Sequence, residues 1–336
     1  MRLIYIPEFE LDTIDGELPE YAILSHTWGS EEITFCDFEK LARKLRPPNE
    51  VHTDYLEYVT QFCKDKGKNF DKILGACKAA QQNNLDYLWV DTCCIDKSSS
   101  SELSESINSM FAWYEGAALC LAHLNDFKKT PRDFDPESFA KCRWFTRAWT
   151  LQELIAPQQV YFYNREWAPL GNKMLFARLL YDITKIETTF LTKETSIRTA
   201  SVAKRMSWAA FREATREEDR AYSLLGIFGV NMPLIYGERS NSFIRLQEEI
   251  LKEIDDHSIF AWIESPQIAQ KGIITNCGHP KCLKPACDIS ICRNPSCTNP
   301  TCILFRETGH LKGCKDRQYY VFPTGHGERR PHHDNE

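Results

Sequence analysis

The sequence predicts an α/β fold: an open parallel sheet with helices on both faces, then a helical extension and an irregular tail rich in cysteine. Three observations support this prediction. Apolar runs alternate with helical patterns in the first half of the chain, residues 171–255 are mostly helical in pattern, and residues 265–336 repeat cysteine and proline at a regular spacing. Alternation of strand and helix is typical of parallel sheets.

Four apolar runs predict the strands of this sheet. They are "EYAILSHTWG" (20–29), "DYLWVDTCCID" (86–96), "ALCLAHL" (118–124) and "QVYFYN" (158–163). Each of the first two passes from apolar residues into a polar loop, as a buried strand does where it ends. Ligands bind at the carboxyl ends of such strands, so the loops "SHTWG" and "DTCCID" become candidates for a site.

Helices are predicted between these strands, over residues 70–85, 101–117 and 145–156. The second begins in a run of serines that suits a helix cap. Its apolar residues recur at helical spacing and form one stripe: Leu103, Ile107, Met110, Phe111 and Tyr114.

The pattern divides the chain into an α/β core (1–170), a helical extension (171–264) and the tail (265–336). A strand-like segment, "SIFAWI" (258–263), closes the extension. Large apolar side chains of the extension are expected in its core: Trp208, Tyr222, Leu224, Leu225, Ile227 and Phe228.

Composition narrows the class of protein. The chain is 43% hydrophobic and carries a net charge of −6, with the acidic excess in residues 1–264 and a basic excess in the tail. An acidic body argues against a nucleic-acid surface on the main domain. The N-terminal residues have no apolar run of signal-peptide length and no window suits a membrane span, so we expect a soluble, cytoplasmic protein.

The tail repeats cysteine every fifth residue. Its repeated cysteines are Cys277, Cys282, Cys287, Cys292, Cys297 and Cys302. Proline at this density excludes a helix or a central strand. With His279 and His310 nearby, the cysteines supply four-ligand sets for Zn²⁺ in several ways, although a spacing of five is at the loose end for zinc. An expanded repeat without function is the alternative.

Five long motifs resemble the fungal heterokaryon incompatibility (HET) domain, in the same order and at similar spacing. They are "YAILSHTWG", "LDYLWVDTCCIDKSSSSELSESINSMFAWYEGA", "CRWFTRAWTLQELIAP", "MSWAAFREATREEDRAYSLLGIFGVNMPLIYGE" and "FIRLQEEIL". The resemblance covers roughly residues 1–264 and leaves the cysteine repeat outside it.

The resemblance implies a role in fungal non-self recognition, in which HET domains trigger cell death, a form of innate immunity. HET domains are often joined to a sensor of the nucleotide-binding repeat type. This chain has no P-loop motif, so the resemblance implies that it either acts alone or is driven by a separate sensor protein. HET domains have been likened to the Toll/interleukin-1 receptor (TIR) fold, which has a flavodoxin-like sheet and in some members hydrolyses NAD. TIR-type enzymes often need assembly to complete their sites, so this likeness implies self-association.

The TIR comparison implies a catalytic role for Glu153. NAD-cleaving TIR domains carry Trp-x-x-x-Glu on a helix, and "WTLQE" has that spacing at Trp149 and Glu153. A carboxylate stabilises the positive charge that grows on the ribose as nicotinamide leaves. Trp149 then provides a ring wall, and Arg147 pairs with the pyrophosphate.

The two strand-end loops supply further candidates for binding NAD. In "SHTWG", Ser25 offers a hydroxyl to phosphate, Trp28 a stacking face, and Gly29 room for close approach of the backbone. In "VDTCCID", Asp91 binds ribose hydroxyls or caps the next segment.

Other interpretations of the same residues remain open. Trp149 and Glu153 suit a core anchor and a buried ion-pair partner of an arginine, while Cys94 with His26 suits a cysteine hydrolase. Cell death is also explained by a self-associating interaction module without chemistry. A zinc-dependent tail that binds nucleic acid or protein is a third hypothesis.

Overall fold

The computed structural model describes residues 1–29, 32–45, 55–63 and 68–261 of the chain. Within these residues one sheet contains seven strands: β1 (Arg2–Tyr5), β2 (Glu10–Thr13), β3 (Tyr21–His26), β4 (Tyr87–Trp89), β5 (Leu119–His123), β6 (Val160–Tyr163) and β7 (Pro169–Asn172). The α-helices in the same ranges are α1 (Phe35–Leu45), α2 (Tyr55–Cys63), α3 (Lys68–Gln81), α4 (Ser100–Gly116), α5 (Pro136–Ala140), α6 (Thr150–Ile155), α7 (Ala177–Thr184), α8 (Thr188–Leu191), α9 (Val202–Ala209), α10 (Asp219–Tyr222), α11 (Leu225–Phe228) and α12 (Asn241–Glu253).

The sheet confirms the α/β class but is mixed rather than wholly parallel. Its order is β2-β1-β4-β3-β5-β6-β7, and the four central strands, which are the four that the sequence predicts, pair in parallel. The edges are antiparallel, because β1 and β2 form a hairpin and β7 turns back along β6. Short, half-exposed edge strands give little apolar signal, which is why the pattern did not predict them.

Helices cover both faces of the sheet, as predicted. Neighbouring residues of a strand point to opposite faces. On β3, Ser25 contacts Glu153 of α6, whereas His26 faces Glu32, which pairs with Lys72 of α3. Therefore α6 and α3 lie on opposite faces.

The chain reverses its direction of winding at β3. The central strands have the order β4-β3-β5-β6, which is 2-1-3-4 by chain sequence, as in flavodoxin-like sheets. Ligand sites of such sheets lie beyond the carboxyl ends of the strands at the reversal. In this chain the reversal lies between β3 and β5, and β3 leads there into His26 and the loop with Trp28. The loop with Asp91 follows β4, the neighbour of β3 on its other side.

The helix predicted over residues 145–156 is interrupted. A short 3-10 helix (Arg143–Thr146) comes first, Arg147 is extended (φ −77°, ψ 139°), and α6 begins at Thr150. The extended residue pairs with Glu213, whose N–H and C=O bond Thr146 O and Ala148 N at 2.6 and 2.8 Å. This pairing joins residues far apart in sequence, so the local pattern could not reveal it.

Of the described residues, 201–211 and 256–261 belong to one compact unit, and those within 1–200 and 212–255 belong to another. In the described part of the smaller unit, Asp256 and Ser258 accept hydrogen bonds from the N–H groups of Val202 and Ala203. The strand predicted over 258–263 is wrong within the described residues, where His257–Phe260 form a 3-10 helix. The Asp256 side chain caps this helix by accepting a hydrogen bond from the N–H of Ser258, which favours a turn. The domain limits drawn from the sequence remain a prediction.

Two further sequence predictions concern burial and membranes. The core residues predicted for the extension are all buried, namely Trp208, Tyr222, Leu224, Leu225, Ile227 and Phe228. Among the helices that the structure describes, none has the length and apolar character needed to cross a bilayer.

A glycine sets the distance between α4 and α11. A Cβ atom added at Gly226 would lie 2.0 Å from the Cβ of Phe111, an atom fixed to the α4 backbone. We expect Gly226→Ala to lower the free energy of unfolding by about 2–3 kcal/mol, because one helix must shift. Urea unfolding measures the change. The control is Gly116→Ala, whose added Cβ would lie 3.5 Å from the Tyr21 hydroxyl, at ordinary contact distance. It should change the free energy of unfolding little. Equal losses of stability in both variants would contradict the steric explanation.

Candidate functional site

A cavity of about 370 Å³ lies beyond the carboxyl ends of β3 and β4. Pockets that bind small molecules typically measure ~300–1,000 Å³. One wall is apolar and comes from α4, with Leu103, Ile107, Met110 and Tyr114. The remaining lining combines charged, polar and aromatic side chains, and includes five of the seven residues that the sequence predicts for an NAD site: Trp28, Asp91, Arg147, Trp149 and Glu153.

A buried chain of hydrogen bonds orients Glu153. The Ser25 hydroxyl donates to Glu153 Oε2, and Trp144 Nε1 donates to Ser25 Oγ at 2.7 Å. Because an indole N–H can only donate, the Ser25 oxygen must be the acceptor of this bond. The Ser25 proton is then available to donate to the Glu153 carboxylate. Ser25 and Trp144 are fully buried. The carboxylate at the cavity wall is therefore held in one orientation by the core.

The environment of Glu153 favours its protonated form. Burial, together with the charge of Asp91, raises the pKa of this carboxyl from 4.5 to about 8, although the Ser25 hydrogen bond and the charges of Arg212 and Arg147 lower it. No ion pair of Glu153 with an arginine occurs among the described residues. The alternative interpretation, a carboxylate locked against arginines in packed protein, does not describe this geometry. A strongly shifted pKa in a cavity is typical of functional sites.

Both ends of α6 are fixed by buried side chains. At the start, Thr150 Oγ1 donates to Trp144 O and accepts from Arg212 Nη1 at 2.9 Å. At the end, the buried Lys173 donates from Nζ to Leu154 O at 3.2 Å and to Pro157 O. A positive charge suits the carbonyl end of a helix. A helix of six residues has little stability alone, so these contacts hold Glu153 in place.

Trp28 and Asp91 line the cavity where it opens to solvent. Trp28 Nε1 donates to Asp91 Oδ2 at 2.9 Å, and the indole is 46% exposed. Asp91 therefore orients a tryptophan rather than capping the next segment, while its other oxygen lies 3.9 Å from His26 Nδ1. Trp28 presents the open aromatic face that the sequence predicts.

Two predicted residues do not line the cavity. Ser25 is buried and gives its proton to Glu153, so its hydroxyl does not serve a phosphate. Gly29 donates its N–H to Glu32 Oε1 at 2.5 Å, which occupies the backbone group expected to approach a phosphate. Of the five residues of "SHTWG", only His26 and Trp28 line the cavity, and Ser25 and Gly29 bond neighbouring side chains instead.

The geometry does not pair Cys94 with His26 as a nucleophile and base. Cys94 is buried in the turn after β4, where its sulfur accepts from Val90 N at 3.3 Å, and it does not line the cavity. His26 lies between two carboxylates, with Nε2 3.7 Å from Glu32 Oε2. Burial raises the pKa of Glu32, but the charge of His26 and the hydrogen bonds from the Gly29 N–H and Lys72 hold it low.

Residues from the helical extension complete the cavity, and sequence reasoning did not select them. They are Thr215, Arg216, Asp219 and Tyr236. Arg147 Nη1 donates to Thr215 Oγ1 at 3.1 Å, and Tyr236 donates to Asp219 Oδ1 at 3.0 Å. Burial raises the pKa of Asp219, against hydrogen bonds from Tyr236 and Trp149. The available signal was the dense run of charges in "FREATREEDRAY", between two helical patterns.

The cysteine repeat, Cys277 to Cys302, lies outside the described residues. In the parts of the chain that the structure describes, no group of three or more histidine, cysteine, aspartate or glutamate side chains has the geometry of a metal site.

Removing the Ser25 hydroxyl tests whether this residue tunes Glu153. Its hydrogen bond lowers the pKa of the carboxyl, so we expect Ser25→Ala to move the rise of kcat/KM for the reaction proposed below to higher pH. At pH 7 the rate should fall about tenfold, the effect of one hydrogen bond to a charged group. The measurement is a pH profile of the wild type, Ser25→Ala and the exposed control Ser138→Ala. A uniform loss of rate without a shift would assign Ser25 a purely structural role.

Comparisons with known proteins agree with the resemblance of the motifs. Residues 21–139 match the family model of the heterokaryon incompatibility protein (HET), and residues 241–318 match a domain of unknown function (DUF8212). The vegetative incompatibility protein HET-E-1 of Podospora anserina is 42% identical over 252 residues, which cover 72% of this chain but 17% of that protein. No solved structure matches the chain. The family model and this relative together show that the chain belongs to the heterokaryon incompatibility (HET) family.

Proposed function

We propose that this chain is an effector of heterokaryon incompatibility that triggers cell death by hydrolysing the nicotinamide glycosidic bond of NAD. The name of its relative, a vegetative incompatibility protein, supports the biological role. One observation carries the chemical part: the Glu153 carboxyl is held by Ser25 at the wall of a cavity that also offers tryptophan faces and arginines.

The reaction needs little more than a well-placed negative charge. The bond between ribose C1′ and nicotinamide N1 breaks, and nicotinamide leaves with the bonding electrons as a neutral molecule. A water oxygen then bonds to C1′ and loses a proton to solvent, giving ADP-ribose. Positive charge grows on the ribose in the transition state, and the Glu153 carboxylate stabilises it.

The lining of the cavity suits the parts of NAD. Trp149 and Trp28 offer faces for the nicotinamide ring and the ribose. Arg147 and Arg216 offer guanidinium groups to the pyrophosphate, because guanidinium matches phosphate oxygens in geometry and charge. Asp91 offers carboxylate oxygens to ribose hydroxyls.

Substrate binding would itself convert Glu153 to its active form. With a pKa of about 8, the carboxyl is mostly protonated in the empty cavity at neutral pH. The nicotinamide ring of NAD is positively charged, and a positive charge nearby favours ionisation of a carboxyl. The base form then appears where the cationic substrate lies, while the empty protein avoids a buried charge.

The proposal extends to activation. Self-association and a separate sensor of the nucleotide-binding repeat type would gather several copies of the chain. The alternative is a non-enzymatic module whose assembly signals cell death without consuming a cofactor.

Inducible expression in yeast separates these two functions. We expect cellular NAD to fall and nicotinamide to rise before viability is lost, and Glu153→Gln to prevent both changes at equal protein abundance. Loss of viability at constant NAD would instead support the non-enzymatic module. NAD and nicotinamide are quantified by mass spectrometry at intervals after induction.

A further inference from the structure

The Trp28 indole is a rigid aromatic surface at the cavity mouth. Its Nε1 is bound to Asp91 at 2.9 Å, and its carbonyl oxygen accepts from Arg143 Nη2 at 2.6 Å. Side chain and backbone are thus both restrained, although the ring is 46% exposed. A large aromatic side chain held open to solvent by two hydrogen bonds is suited to stacking with a ligand.

One face of this ring already carries a positive charge. Lys97 Nζ lies 3.7 Å from the ring centroid and 3.9 Å from Asp91 Oδ2. The π-electrons of the indole and the carboxylate both attract a cation. Lys97 also lines the cavity, together with Trp28, Asp91 and Glu153.

An ammonium group is a poor occupant for such a surface. It is compact and strongly hydrated, and its flexible stem is restrained when it lies on the ring. The Lys97 side chain is 35% exposed, and burial of the rest lowers its pKa against the favourable charge of Asp91. A flat organic cation spreads its charge, covers more of the indole and holds its hydration water less strongly.

We propose that the face of Trp28, with Asp91, is a subsite for a flat, permanently charged nitrogen heterocycle, and that Lys97 occupies it as an internal competitor. The ligand class is a pyridinium-type cation. Lys97 leaves the ring when the cation binds and returns when it departs. This inference deepens the proposed function, because it assigns the nicotinamide ring of NAD to Trp28, but it concerns binding rather than cleavage.

The test uses 1-methylnicotinamide, a pyridinium cation without ribose or phosphate, and nicotinamide, its neutral counterpart. Dissociation constants are measured with the full chain by calorimetry. We expect the wild type to bind the cation more tightly than nicotinamide. Lys97→Met replaces the lysine with an uncharged side chain of similar length and so removes the competing charge. This variant should bind the cation about three- to thirtyfold more tightly than the wild type, with little change in its affinity for nicotinamide.

Two variants of Trp28 and one control complete the design. Trp28→Phe should retain part of the preference for the cation, and Trp28→Leu should lose it. Lys141→Met removes an exposed lysine that pairs with Glu137 at a helix end, and should leave both constants unchanged. Weaker or unchanged cation binding in Lys97→Met would overturn the competition, and a full preference in Trp28→Leu would overturn the subsite.

Failure here is distinguishable from failure of the proposed function. If the chain cleaves NAD but binds the cation no more tightly than nicotinamide, the proposed function stands and the Trp28 subsite is refuted. If the chain binds 1-methylnicotinamide as expected but never cleaves NAD, the subsite stands and the proposed reaction is refuted.

Discussion

Replacing Glu153 with glutamine is expected to reduce the rate of nicotinamide release from NAD about 100- to 1,000-fold, the usual cost of removing one group that stabilises transition-state charge. Glutamine keeps the size of the side chain and an oxygen that accepts from Ser25, but carries no negative charge. KM should change little, since the loss falls on the transition state. The measurement is kcat and KM of the purified chain by quantification of nicotinamide.

The matched control for this variant is Glu137→Gln, on an exposed side chain at the short helix α5. It removes the same charge from the protein at a distance from the cavity wall, and we expect wild-type kinetics. Activity of Glu153→Gln within a few-fold of the control would mean that the buried carboxylate does not participate in cleavage.

Glu153→Gln should also become more stable than the wild type as pH rises. The folded pKa of Glu153 is about 8, against an ordinary 4.5, so between these values the folded state keeps a proton that the unfolded state releases. The stability from this proton is complete below pH 4.5 and is lost as pH rises through 8. It amounts to about 5 kcal/mol, from 1.36 kcal/mol for each of the roughly 3.5 pH units between the two pKa values.

Urea unfolding of wild type and Glu153→Gln at pH 5, 6, 7 and 8 measures this effect. Other titrating groups contribute nearly equally to both proteins, so the difference between the two free energies of unfolding isolates Glu153. The free energy of unfolding of Glu153→Gln, relative to that of the wild type, should increase steadily up to about pH 8. Parallel pH profiles would show that this carboxyl has an ordinary pKa in the folded protein. Stability lost in favour of a functional charge is common at active sites.

The sequence was most informative where structure depends on neighbours along the chain. The four central strands and α4 were predicted because their apolar residues recur at strand or helix spacing. The meeting of Trp28, Asp91 and Glu153 followed from a topological rule, that parallel strands end at one edge. These features place most of the predicted site residues around one cavity.

Features set by contacts between distant segments were not predictable from the pattern. The break before α6 depends on pairing of Arg147 with Glu213. Ser25 was predicted to meet a phosphate because it offers a hydroxyl beside the loop. Since β3 is buried along its whole length, no alternation reveals that this residue faces α6 instead. Arg216, Asp219 and Tyr236 reach the cavity only through the tertiary path of the extension. Lys97 gave no signal, since a lysine in a polar loop is ordinarily solvated.

The most direct test of an NAD-cleaving site at Glu153 is a single-turnover measurement with the purified chain in excess over NAD. It is made with dilute protein and again with a crowding agent that favours assembly. The prediction is one nicotinamide and one ADP-ribose for each NAD consumed by the wild type, and intact NAD with Glu153→Gln over the same time. NAD that remains intact with wild-type protein under both conditions would contradict the enzymatic function.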